Sequence, residues 1–254
     1  MIGFEKYPEL AALFPKGERR ERMALVEDLA RSAHDNLLEF LVWNHELYLP
    51  PGFVELYPKV KGVDYPVCLS SELLKKSIRD KYVEFFQGAP SVDGVVISVN
   101  ESGQFSLITD AGCKCDRCRR LSQHERLMAV LNEVIAVTTE FKKQIVLRTF
   151  QAAFIHDLHG HPELETIRRA FTGLPRQVQI MSKYCPLDFY GGAIADEPLI
   201  GVFPNQHLVE FSLDVEWQGR TFVPVRHSAV SPTPLGTYQH PFADSTTILP
   251  CRLR

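Results

Sequence analysis

No apolar run in this chain approaches the roughly 18 residues a bilayer span needs, so no membrane-embedded class is expected. The opening stretch, MIGFEKYPELAALFPKGERRER, carries charges throughout and lacks the apolar core of a secretory signal. A cytoplasmic protein is the expectation. Charge of one sign is also in short supply. Lys and Arg number 28 against 31 Asp and Glu, a formal net charge of -3. That supplies no general attraction to nucleic acid or to an anionic membrane surface. Cysteine is sparse, with 6 in 254 residues, too few for a disulfide-built scaffold. No glycine-rich phosphate loop follows the first apolar run, which argues against a dinucleotide-binding sheet. No G-x-S-x-G elbow occurs, which argues against an esterase. Internal repeats and low-complexity linkers are missing as well.

What is there is an ordinary globular composition, 45% hydrophobic and 23% charged, in a chain long enough for one large core. Short apolar runs alternate with amphipathic segments. ERRERMALVEDLARSAHDN, SELLKKSIRDKYVEFFQ, SQHERLMAVLNEVIAVTTEFKK and HPELETIRRAFTGL have helical spacing. Ser70 or Ser71 is placed to cap the second of these, and Pro162 falls near the first turn of the last. Six segments read as strands: LLEFLVWNHELYLP, YPVCLS, VDGVVISV, QIVLRTF, QVQIMSKY and HLVEFSLDVEW. Strand–helix alternation predicts a parallel sheet with right-handed crossovers. Runs such as VVISV suit strands covered on both faces. A doubly wound sheet and a TIM (β/α)8-type barrel both meet this description.

Ionisable residues recur where the strands end: His45, Glu46, Glu101, Arg148, Lys183, Asp188 and Glu216. Charges at so many strand ends are costly without a shared solvated site. A barrel provides one, because its carboxyl strand ends converge on one mouth. The expected architecture is therefore an α/β barrel over residues 1–225, incomplete in its visible strands, with 226–254 an irregular tail.

Two carboxyl groups flanking a bond are the requirement for glycoside hydrolysis, and Glu101, Asp188 and Glu216 are the candidates. MSKYCPLDFYGGAIADEPLIGVFPNQHLVEFSLDVEWQGR contains Lys183, Pro186, Leu187, Asp188 and Phe189. It continues with Leu208 to Phe211 and then Glu216, Trp217 and Gly219. In this pattern, and in DGVVISVNESGQ, the chain resembles the α-glucuronidases of glycoside hydrolase family 67 over roughly residues 35–225. The resemblance implies hydrolysis without a metal or other cofactor. It implies removal of an α-linked glucuronic acid, or its 4-O-methyl form, from xylan-derived oligosaccharides, with inversion. Glu101 would be the general acid, and Glu216 or Asp188 the base activating water. Lys183 and Arg148 would meet the uronate carboxylate. The chain departs from the family in the GGAIAD insertion and in Ile97, where a basic residue is expected. It also lacks the family's flanking N- and C-terminal domains, so a fragment of the barrel is one expectation.

His45, Glu46 and Trp217 are further expected sugar contacts, and Trp43, Tyr48 and Tyr184 are aromatic rings of the kind that stack on sugars. In CKCDRC, Cys113, Cys115 and Cys118 offer three thiolates, one short of a structural zinc site. Cys185 or His124 would have to complete it. Reduced thiols packing a loop are the plainer reading. His156, His159 and His161 read as a loop before a helix. Two alternatives stay open: a carbohydrate-binding barrel without catalysis, and a zinc-dependent hydrolase using the cysteine cluster.

Overall fold

Five of the apolar runs become the strands of one parallel sheet in the computed structural model, which describes residues 4–13, 15, 17–98, 112–149, 162–183 and 201–210. The strands are β1 (Leu41–His45), β2 (Gly94–Ser98), β3 (Gln144–Thr149), β4 (Val178–Lys183) and β5 (His207–Glu210). Their order across the sheet is β1-β2-β3-β4-β5, every neighbour parallel. The class is α/β, as expected.

The helices are α1 (Pro8–Ala11), α2 (Glu18–Asp35), α3 (Phe53–Leu56), α4 (Glu72–Gly88), α5 (Gln123–Glu140) and α6 (Pro162–Phe171). Local chemistry sets their ends. Ser71 is extended and its hydroxyl accepts the Leu74 N–H, so α4 starts where the serine pair predicts. Ser122 and Glu125 form a reciprocal capping box on α5. Pro162 opens α6, where its missing N–H costs nothing. At the far end of α5, Lys143 donates to the Thr138 carbonyl and Lys142 to that of Thr139, with Lys142 left-handed at φ 56°. That is a Schellman ending built without glycine.

Sequential strand order has a consequence for layering. A doubly wound sheet reverses its order at a switch point, and the described strands show no reversal. Right-handed crossovers then carry α4, α5 and α6 to one face, and α4 packs on α5 and α5 on α6. Register and alternation assign the faces. Val95, Ile97, Ile145, Leu147, Val178 and Ile180 share one face and are all buried. They meet Leu74, Ile78 and Phe86 of α4 and Leu127, Leu131 and Val134 of α5 in one core. Each such side chain stabilises the fold by about 1.5–3 kcal/mol through burial. Asn44, in register with Ile97, donates to the Tyr82 hydroxyl of α4 and marks this as the helix face.

Close backbone approach decides one glycine. A Cβ on Gly94 would stand 2.5 Å from the Gln144 carbonyl oxygen of the paired strand. Only glycine lets β2 and β3 meet there.

One expected strand is not a strand. YPVCLS (residues 65–70) is irregular. Pro66 has no N–H for a ladder, and the Cys68 N–H is taken by the Val60 carbonyl of the 3-10 turn Pro58–Val60. Residues 226–254, expected to be an irregular tail, lie outside the described residues.

Candidate functional site

Opposite the helix face, alternate residues of the five strands form a second face whose carboxyl end is polar. Trp43 and His45 share it on β1, Ser98 on β2, Arg148 on β3 and Glu210 on β5. The Trp43 and His45 rings stack at 5.7 Å. The Arg148 guanidinium lies 4.2 Å from the Trp43 ring centre, a cation–π distance. On its other side Arg148 grips Glu210 with both Nε and Nη2, the latter at 3.0 Å. This fork-on-carboxylate pairing fixes geometry as well as charge. Arg148 is 1% exposed whereas Trp43 is 47% exposed. One side chain from β3 thus links β1 to β5 across the sheet, and Trp43 remains partly exposed beside it. His45 Nδ1 is buried with no hydrogen-bond partner among the described residues.

Glu46, the neighbour of His45, turns the other way. It is fully buried, and its Oε1 accepts from Lys81, from the Tyr82 hydroxyl at 2.6 Å and from Asn44 at 2.8 Å. Burial and the adjacent carboxylate hold the Tyr82 phenol protonated, well above its ordinary range. Glu46 therefore ties the end of β1 to α4, with no surface offered to a sugar. Lys183 pairs in register with Glu210. Glu101, Asp188, Glu216 and Trp217 lie outside the described residues.

The chain matches no protein-family model, no curated protein and no solved structure.

A second cluster lies in the loops. Cys113, Cys115 and Cys118 come together as their spacing suggests, and the fourth thiol beside them is Cys68. The four sulfurs all lie within 4.8 Å of one another. His124, one of the two residues expected to complete such a set, instead points Nδ1 at the Ala170 carbonyl of α6, 2.8 Å away. Cys185, the other, lies outside the described residues. Backbone N–H donors reach the cysteine sulfurs, and that of Cys118 draws the Cys115 thiol down to about 7. Burial raises the Cys68 thiol to about 12.

The sequence pattern points to Cys185 or His124 rather than Cys68 as the fourth ligand, and it does not single out Glu210. Cys68 stands 47 residues before Cys115, and its only signal was to bring the cysteines between positions 68 and 118 to a full ligand set. Glu210 was legible as a carboxylate placed inside the otherwise apolar HLVEF.

Proposed function

We propose that this chain is a glycoside hydrolase of the (β/α)-barrel kind that removes α-linked glucuronic acid from xylan-derived oligosaccharides with inversion. The observation that carries the reading is the strand-end face on which Arg148 is clamped between Trp43 and Glu210. A half-exposed indole beside a fixed cation suits a sugar ring that carries a carboxylate. The sequential parallel sheet supports it too, since that strand order is the one a barrel uses. Arg148 already engages Glu210, so in this reading it holds Trp43 and the local charge in place. Lys183 then carries the first contact with the uronate.

Covalent reach supports the catalytic assignments. Glu101 follows the end of β2 by three positions, Asp188 follows β4 by five and Glu216 follows β5 by six. At no more than about 3.6 Å per residue, each is tethered to the carboxyl edge of its own strand. Glu101 protonates the leaving glycosidic oxygen, and Glu216 or Asp188 takes a proton from the attacking water. Their carboxyl groups stand roughly 6.5–9.5 Å apart in an inverting site, leaving room for that water.

The test is proton NMR of glucuronic-acid-substituted xylooligosaccharides incubated with the purified chain. Release of the β-anomer of the uronic acid is expected from the wild type. Glu101→Gln is expected to keep binding and lose turnover by at least about 100-fold, the scale of general acid catalysis. Full activity in that variant removes Glu101 from the acid role. Saturable sugar binding with no product from folded wild-type protein replaces the hydrolase with a carbohydrate-binding module.

A further inference from the structure

We propose that Cys68, Cys113, Cys115 and Cys118 form a closed, structural zinc site that joins the loop before α4 to the loop before α5. The inference stands independently of the hydrolase reading.

The geometry is that of a tetrathiolate before any metal is considered. Thiolates about 2.3 Å from a tetrahedral zinc stand roughly 3.8 Å from one another. Cys68 Sγ lies 3.8 Å from Cys115 Sγ and 3.6 Å from Cys118 Sγ. Cys113 and Cys118 are 3% exposed, Cys68 and Cys115 are partly covered, and all four sulfurs lie within 4.8 Å of one another. Thiols packed only to fill space have no reason to present all four sulfurs to one point.

The surroundings are those of a charged centre. Val63 N–H donates to Cys113 Sγ at 3.2 Å, Cys115 N–H to the same sulfur at 3.5 Å, and Cys118 N–H to Cys115 Sγ at 3.4 Å. The Ser70 hydroxyl lies 3.3 Å from Cys118 Sγ. Donors aimed at ligand sulfurs orient them and stabilise the thiolate form. Four thiolates around a divalent cation leave two net negative charges. Lys114, Arg117, Arg119 and Arg120 stand in the same segment, against Asp116.

Zinc binding is balanced by proton release: the four thiols lose their protons to solvent as four zinc–sulfur bonds form. Four protein ligands leave no position for water, so this site holds structure and activates no nucleophile. The metal-dependent hydrolase reading of CKCDRC is correspondingly disfavoured. What zinc would hold is a long connection. Between β1 and α4 the chain has only the short helix α3 and one 3-10 turn, and connections of that length are rare unless something fixes them.

The chain purified from zinc-supplemented cells is expected to contain about one zinc per molecule by elemental analysis, with a lower melting temperature after chelation. Exchange to Co(II) under reducing conditions is expected to give the thiolate charge-transfer and visible bands of a tetrahedral tetrathiolate. Cys68→Ser should lose zinc, whereas Cys185→Ser and His124→Ala should retain it. Should Cys68→Ser fail to fold, the wild-type cobalt spectrum and those two variants decide the matter. Folded wild type with no bound metal, or with two disulfides by intact mass, overturns the proposal. So does stoichiometric iron, or zinc lost from Cys185→Ser and kept by Cys68→Ser.

Discussion

Replacing Lys81 with methionine should be among the most damaging single changes in this fold. Glu46 is fully buried, and its Oε1 collects Lys81, Tyr82 and Asn44, while Oε2 has no partner among the described residues. Methionine keeps most of the length of the lysine stem and removes the ammonium, both its charge and its hydrogen bond to Glu46. The carboxylate then stays buried with neutral donors alone, a situation that costs about 3–5 kcal/mol. At roughly 2–4 °C per kcal/mol for a chain of this size, the melting temperature falls by about 6–20 °C. The reverse deletion is milder. The Lys81 side chain is 10% exposed, so in Glu46→Gln its ammonium can lift toward water on its flexible stem, and the loss is about 1–3 kcal/mol. Urea unfolding followed by far-UV circular dichroism on both variants and the double variant measures the coupling. The double variant should be at least about 2 kcal/mol more stable than the sum of the single losses implies. Single losses that add within about 0.5 kcal/mol, or a Lys81→Met chain within about 1 kcal/mol of wild type, would show that this pair does not hold β1 to α4.

Two further perturbations test other parts of the molecule. Lys142→Gly should stabilise the chain by about 0.5–1 kcal/mol, because Lys142 is left-handed at the end of α5 and glycine removes that strain; thermal melts of Lys142→Gly against Lys142→Ala check it, and a lower melting temperature for the glycine variant refutes it. Burial holds His207 at about 4, with its Nε2 3.0 Å from the Ser182 hydroxyl. A basic group depressed in the folded state contributes stability that is complete above about pH 6.5 and is lost as pH falls toward 4. The loss is on the order of 2 kcal/mol after allowance for partial solvent screening. Urea midpoints between pH 7.5 and 4.5 should fall less steeply in His207→Asn, and equal slopes would remove His207 from the acid response.

Elements whose signals are local were legible in the sequence. Ser71 and Ser122 mark helix starts through hydrogen bonds made within a turn, Pro162 marks one through its fixed φ and missing N–H, and the runs VVIS and IVLR announce strands. YPVCLS carried the apolar content of a strand but answers to a distant partner. Its cysteine faces residues from another loop, and a one-dimensional reading has no term for that attraction. The same limit explains the site. His45 and Glu46 are adjacent and both polar, and only the alternation of β1 against α4 sends them to opposite sides of the sheet. Arg148 was visible as a strand-end cation. That its fork is held by Glu210, 62 residues away, depends on both strands standing in the same sheet.

The order of strands across the sheet is the order in which the ribosome delivers them. Among the described strands, each one after the first pairs with a strand that precedes it in the chain. A nascent chain ending just after β3 already contains β1, β2 and β3 with α4 and α5 between them. Folding can therefore advance one strand–helix unit at a time from the amino-terminal side. The cost of closing each new contact stays that of a single crossover rather than of the whole chain.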